Sequence, residues 1–387
     1  VYGLRLLADP RLQRAILVVL AGVLVLYRAI ALLDVEPARW GFDFAWYWGA
    51  SSNLLHGLPI YSAQQLAGPY SPQGQEGFLY PPPLAALVIP LALVFPTNMA
   101  GAGLVWSVLG AVAAGAGLLL IVRTDRLGER YPLLAGSGVA LLLVAAFALP
   151  PVIDEFINGN VHLFLVALLA AAWWGVARSD ASDGADARGD RVAGIAVGIA
   201  TVIKLFPGVL VLWFLLTGRR RAAGWSVVGA VALTLVTLPL TGIQPWLDYP
   251  RVLANLGAPI DATNSMAPTI WLAPWLGFTV ARVVVTVIGL GVVVWAAHTL
   301  DARRGFALTV AVAVLVTPAL WSHYLTVLLV PLTLALGAGV SLAWLAVVYV
   351  LLSAQKQAGL GDYAWITIRA MPTAGALLLA GVLGRKR

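Results

Sequence analysis

The sequence contains no cysteine, which excludes disulfides and thiolate metal sites and leaves the redox compartment unspecified. Charge is almost as scarce: 11% of the 387 residues are Asp, Glu, Lys or Arg, and only three of the basic ones are lysines. Soluble-enzyme signatures are missing too. There is no Walker loop, no GxGxxG opening a helix, no HExxH and no GxSxG. An Asp-x-Asp pair, the usual holder of a metal and a nucleotide sugar, is also absent. Any transfer chemistry here therefore needs a donor that arrives through the membrane.

What fills the chain is hydrocarbon. It is 61% hydrophobic with a mean hydropathy of +0.91, more apolar surface than a soluble fold can bury, so lipid is its solvent. The net charge of +7 is carried mostly by arginine and reads as membrane topology, not as nucleic-acid binding. The first apolar run, 15–33, is too long for a signal-peptide core and is read as a helix.

Ten spans are clear: 15–33, 100–122, 132–149, 161–177, 222–240, 278–299, 306–321, 324–338, 340–354 and 365–384. Two stretches are ambiguous. Residues 81–96 are short and proline-rich, and 192–217 reads either as one helix kinked at Pro207 or as a hairpin of two short helices turning at "KLFPG". If 81–96 stays at the interface and 192–217 is a hairpin, most of the arginines fall on the side of the N-terminus, as the positive-inside rule prefers. The expectation is an all-α polytopic membrane protein with about 12 transmembrane helices, both termini cytoplasmic and interfacial helices in the first outer loop. Hairpin arms of about 13 residues reach roughly 20 Å, short of a hydrocarbon core of about 30 Å, and need shelter from neighbours.

The chain, 1–387, reads as one integral-membrane domain. Its parts are a core over 15–240 with outer loop 34–99, a second outer loop over 241–277, and C-terminal transmembrane helices over 278–387. Both outer loops are rich in aromatic residues, which favour the headgroup level. There is no internal repeat, and the one low-complexity stretch, 179–190, is a solvated loop.

With that topology the polar residues collect on one side. Asp43 sits in the aromatic stretch "GFDFAWYWGAS", Lys204 at the hairpin tip, Asn158 and Asn160 in "INGNVHLF", Asn264 and Ser265 in "DATNSMAPT", and His323 in "LWSHYLTVLLVP". An acid, an imidazole, a cation and amides on one interface suit a polar head attached to a lipid. Plainer readings stand beside this one. Asp43 could cap the short helix that follows it, Lys204 could snorkel to the headgroups, and His323 could be a satisfied helix-start residue. Asn158-Gly159-Asn160 could be an ordinary turn. His56 and His298 are read as structural. Arg28 and Arg282 could each meet a lipid phosphate or a carboxylate such as Asp34.

The ordered set of motifs resembles a known family. "FDFAWYWGASSNLLHGLPIYS" (42–62), "FLYPPPLAALVIPLALV" (78–94), "NGNVHLFLVALLAAAWW" (158–174), "AGIAVGIATVIKLFPGVLVLWFLL" (193–216), "TNSM" (263–266) and "TPALWSHYLTVLLVP" (317–331) carry the likeness. They resemble the GT-C superfamily of integral-membrane glycosyltransferases, and within it glycosyltransferase family 87. That family includes mannosyltransferases that elongate phosphatidylinositol mannosides. The chain departs from many relatives in reading Asn264-Ser265-Met266 for Asn-Gln-Ser and His323-Tyr324 for His-His.

The resemblance implies a GT-C-type fold and an inverting transfer of mannose from a polyprenyl-phosphate donor to a glycolipid hydroxyl. The site would face outward from a bacterial plasma membrane. Asp43 would be the base, Lys204 and Arg282 would meet the phosphate, and His323 would hold phosphate or acceptor. Trp46, Tyr61, Tyr80, Asn160, Asn264 and Ser265 are candidates for the sugar or acceptor. No cofactor or metal, no nucleic acid and no obligate protein partner is expected; the partners are the bilayer, the donor and the acceptor. The family's arabinofuranosyltransferase branch is the alternative, disfavoured because Asp43 has no acidic neighbour and Trp321-Ser322-His323 is intact. A lipid-linked sugar transporter is the alternative from another class, disfavoured by the missing half repeat and the one-sided polar groups.

Overall fold

Long runs of Ala, Leu and Val with few charges leave the backbone no partner in lipid except itself, so every regular element is a helix. The computed structural model describes residues 10–33, 35–36, 39–71, 77–182, 187–257, 265–354 and 366–385, and no strand occurs among them. The chain begins with α1 (Pro10–Leu33), α2 (Phe42–Leu55), α3 (Ala63–Ala67) and α4 (Pro82–Val94). Next come α5 (Met99–Thr124), α6 (Val139–Phe147), α7 (Pro150–Asn158), α8 (His162–Ala181) and α9 (Ala187–Ile203). A reversal leads into α10 (Val209–Leu216), α11 (Arg220–Thr241), α12 (Gln244–Leu256) and α13 (Pro268–Leu276). The last part holds α14 (Phe278–Thr299), α15 (Ala302–Leu315), a 3-10 helix (Ser322–Leu328), α16 (Leu329–Gly337), α17 (Leu342–Leu352) and α18 (Met371–Gly384).

Helix α8 is the central post, packed against α5, α9 and the 3-10 helix. Peripheral helices show apolar side chains outward, Val236 of α11 being 74% exposed and Val287 of α14 62% exposed, which suits contact with lipid. Glycines set the closest helix contact. A Cβ on Gly194 would lie 2.3 Å from the Ala222 carbonyl oxygen, and one on Gly198 2.1 Å from that of Ser226. Only glycine lets α9 and α11 approach so near. Because Gly194 faces Ala222 and Gly198 faces Ser226, the two helices run parallel, and the intervening chain must return. Residues 192–217 are thus a hairpin turning at Lys204–Gly208, not a kinked helix. The Arg219–Asp180 ion pair at 2.6 Å confirms that the returning arm ends level with the start of the hairpin.

Other spans differ from expectation. Residues 132–149 do not form one helix: two 3-10 turns precede α6, and α6 and α7 meet at 66°. The cause is Leu149-Pro150-Pro151, where proline forces the residue before it out of the helical region; Leu149 has ψ 125°. The segment expected as 324–338 starts as a 3-10 helix and only then becomes α16. Among the described residues four helices (α5, α8, α11, α14) are long and apolar enough to cross a membrane singly, five if the bent pair counts as one. The expected dozen included segments that the structure splits into shorter pieces. Helix α4 is buried along Pro82–Ala86 and packs on α2 and α11.

The two ends of the bundle differ. At one end Arg303 pairs with Asp125 at 2.8 Å, Arg130 donates to the Gly337 carbonyl and Arg304 to the Ala338 carbonyl. Helix α8 runs from His162 at the other end to Ala181 near the arginines, a rise of about 30 Å for its length. Arg219, paired with Asp180 near the end of α8, thus lies about one hydrocarbon thickness from His162, and Arg130, Arg303 and Arg304 gather toward the same end.

Candidate functional site

Local chain geometry delivers each polar side chain to the end away from the Arg130, Arg303 and Arg304 cluster. Asp43 sits in the first turn of α2, whose N-cap is Gly41 with no side-chain cap, so the acid does not cap its own helix. Its carboxylate reaches across to Asn160, whose Nδ2 donates to Asp43 Oδ2 at 2.8 Å. Asn160 is placed by the turn between α7 and α8. Gly159 takes φ +68°, and a Cβ there would come within 2.9 Å of the Phe44 Cβ, so the turn sits directly on α2. His323 rides on the 3-10 helix, tied to α7 by Thr326 Oγ1 donating to the Pro151 carbonyl at 2.9 Å. Its ring lies between two carboxylates, with Nε2 3.6 Å from Asp43 and Nδ1 3.7 Å from Asp154. Asp154 in turn accepts from Arg39 and Asn158, each at 3.2 Å.

Lys204, at the hairpin tip, turns inward and does not snorkel; it is 8% exposed. Its ammonium donates to the Tyr80 hydroxyl at 3.2 Å and to His162 Nε2 at 2.8 Å, and stands 3.7 Å from the centre of the Tyr324 ring. The Tyr80 hydroxyl in turn donates to Asn160 Oδ1 at 3.0 Å. A continuous run of hydrogen bonds therefore joins Lys204 to Asp43 through Tyr80 and Asn160.

Two cavities meet at this run. One, about 390 Å³, is mainly apolar and is lined by Lys204, Phe206, Leu253, Arg282, Pro318 and Trp321 among others. The second, about 400 Å³, is the more polar of the two and holds Arg39, Asp43, Trp46, Asp154, Asn160 and His323. Leu79, Tyr80, Trp321 and Tyr324 line both and form the wall between them. Tyr70 also faces the polar cavity. Burial, reinforced by the charge of Asp43, pushes its phenol up to about 12, so it remains a donor at neutral pH.

The structure thus brings together Asp43, Lys204, His323, Arg282, Trp46, Tyr80 and Asn160. Others take different places. Tyr61 lines neither cavity: its ring lies between Phe78 and Tyr249, and its hydroxyl donates to the Tyr80 carbonyl at 2.6 Å, so it braces the wall instead of stacking on a ligand. Ser265 is fully buried, and its hydroxyl accepts from Ala267 N and from Leu320 N at 2.9 Å, pinning the segment just before Trp321-Ser322-His323. The neighbouring Met266, not Ser265, faces the polar cavity. Asn264 and Asp34 lie outside the described residues. Arg28 stands in a separate groove with Tyr349 and Ser353, and Arg282 donates to the Gly257 carbonyl while lining the apolar cavity. His56, in its turn, bonds the Ser52 carbonyl.

Three neighbours escaped the sequence reading, Asp154, Glu155 and His162, and Tyr324 was noted only as standing where many relatives have a second histidine. A signal existed, since two acids just before "INGNVHLF" and the histidine within it are costly in so apolar a chain. Among the described residues no group of three or more His, Asp or Glu side chains is arranged to hold a metal ion.

Fold and site together define a helical membrane protein with a paired polar and apolar cavity at one end. The model of glycosyltransferase family 87 matches residues 78–321, and the chain belongs to that family. Two curated relatives, both from Mycobacterium tuberculosis, are similar to it. One is a polyprenol-phosphate-mannose-dependent alpha-(1-2)-phosphatidylinositol mannoside mannosyltransferase, 27% identical over 252 residues, covering 63% of this chain and 55% of that protein. The other is a polyprenol-phosphate-mannose-dependent alpha-(1-2)-phosphatidylinositol pentamannoside mannosyltransferase, 26% identical over 352 residues, covering 87% of this chain and 75% of that protein. No solved structure matches the chain.

Proposed function

We propose that this protein transfers a mannosyl residue from a polyprenyl-phosphate-mannose donor to a hydroxyl of a phosphatidylinositol mannoside or related glycolipid. The bond formed is an alpha-1,2 linkage, as in the names of the relatives. The observation that carries the reading is the junction of two unlike cavities, the apolar one edged by Lys204 and Arg282 and the polar one by Asp43 and His323. A donor with a hydrocarbon tail, an anionic phosphodiester and a sugar needs that order of environments.

The acceptor oxygen attacks the anomeric carbon from the polar side while Asp43 takes its proton. The bond from that carbon to the phosphate oxygen breaks, and polyprenyl phosphate leaves with the electron pair. Its charge is met by Lys204 and Arg282, which are assigned the neutralising role that a metal takes elsewhere. A single displacement of this kind inverts the anomeric centre. His323 lines the polar cavity alone, so its role falls to the acceptor side and not to the phosphate. Trp46 and Tyr80 offer ring faces at the mouth and at the wall. The positive-inside rule assigns the arginine-rich end to the cytoplasm, which supports a site facing the outer leaflet of a bacterial plasma membrane.

Purified protein in vesicles, given radiolabelled polyprenyl-phosphate mannose and phosphatidylinositol mannosides, is expected to move label onto the glycolipid. Transfer from the corresponding arabinose donor alone, or movement of intact donor between leaflets with no new glycoside, would overturn the reading.

A further inference from the structure

Glu155 and His162 line neither cavity, yet both side chains are wholly buried and stand directly behind Lys204. Ionisable groups at such depth are costly and persist where their contacts are fully used. Three short distances describe the arrangement. Lys204 Nζ is 2.8 Å from His162 Nε2, His162 Nδ1 is 2.7 Å from Glu155 Oε2, and the His162 backbone N–H donates to Glu155 Oε1 at 2.6 Å. An ammonium can only donate, so Nε2 accepts. The ring proton therefore sits on Nδ1 and is given to the carboxylate.

We propose that His162, locked in this tautomer by Glu155, is a positioning residue that aims the Lys204 ammonium at the donor phosphate. The inference rests on the reading of Lys204 as the phosphate-binding cation and says how that cation is held. A lysine head is a compact charge on a flexible four-carbon stem, poor at holding one direction without an anchor. Here one N–H is committed to His162 and another to the Tyr80 hydroxyl, while the Tyr324 ring covers a further side at 3.7 Å. With two N–H groups committed, one is left for a ligand in the apolar cavity that Lys204 lines. Glu155 is required as an acid, not merely as a polar group. A glutamine there has one oxygen where the carboxylate's two accept from the backbone N–H groups of His162 and Leu163 and from the ring, so either the α8 backbone loses its partner or the ring proton moves to Nε2 and confronts the ammonium.

The probe is polyprenyl phosphate alone, the product without its sugar, titrated by calorimetry. The proteins are wild type, His162→Ala, His162→Gln, Glu155→Gln, Lys204→Ala and the His162→Ala/Lys204→Ala pair, each with its thermal stability recorded. Expected are roughly tenfold weaker binding for His162→Ala and Glu155→Gln with acceptor KM unchanged, and recovery in His162→Gln, whose amide oxygen can accept. The double variant should bind no worse than Lys204→Ala. Wild-type affinity in His162→Ala, or losses that simply multiply in the double variant, overturns the positioning role while leaving Lys204 as the phosphate cation. Wild-type affinity in Lys204→Ala instead removes the phosphate reading on which it rests. If His162→Ala does not fold, Glu155→Gln carries the test, with wild-type affinity overturning the proposal.

Discussion

Asp43 is held through one oxygen by the amide of Asn160, and the same amide accepts from Tyr80, so one side chain sets both the proposed base and the wall beside it. Replacing Asn160 by Ala frees the carboxylate to rotate. Misplacement of a reacting group by about 1 Å costs on the order of 100-fold in rate, so kcat should fall about that far in steady-state assays. An unchanged kcat would mean that the amide is not what orients Asp43. Residues of this kind were legible in the sequence because a lone acid, amide or lysine stands out against so apolar a background. Glu155 and His162 stood out on the same ground, but their role was not legible, since it lies in the contact of His162 with Lys204, 42 residues further along the chain. Ser265 drew notice as a polar group near the site, but its partner is a backbone amide 55 residues away, which no side-chain pattern reveals.

At the level of helices, the hairpin depends on Gly194 and Gly198 giving α9 its close approach to α11, since this packing fixes where the tip and Lys204 stand. Leucine at Gly198 overpacks that contact at a cost of about 3 kcal/mol, and the variant should melt at lower temperature in detergent and bind donor weakly. Gly22 of α1 has open space where a Cβ would go, so leucine there should leave the melting temperature as it is. Equal effects at the two positions would refute the packing argument. The hairpin could be read from sequence because arginine distribution demanded it. The bend between α6 and α7 could have been read from Leu149-Pro150-Pro151, but hydropathy alone runs smoothly into it. The 3-10 start before α16 leaves no comparable mark.

Across the whole molecule, the site end and the arginine end are separated by the length of α8. A chain without cysteine makes this separation measurable with single introduced thiols. Gln64→Cys, exposed near the site, should react with a membrane-impermeant maleimide on intact cells, whereas Ala181→Cys at the arginine end should react only after lysis. The reverse pattern would put the site in the cytoplasm and contradict the outer-leaflet assignment. The most direct test of the account is a single-turnover experiment on Asp43→Asn with bound polyprenyl-phosphate mannose and a glycolipid acceptor. The account predicts wild-type donor affinity with at least 100-fold slower transfer, because the phosphate contacts survive and the proton acceptor does not. Transfer at close to the wild-type rate would show that another group takes the proton and that Asp43 is not the base.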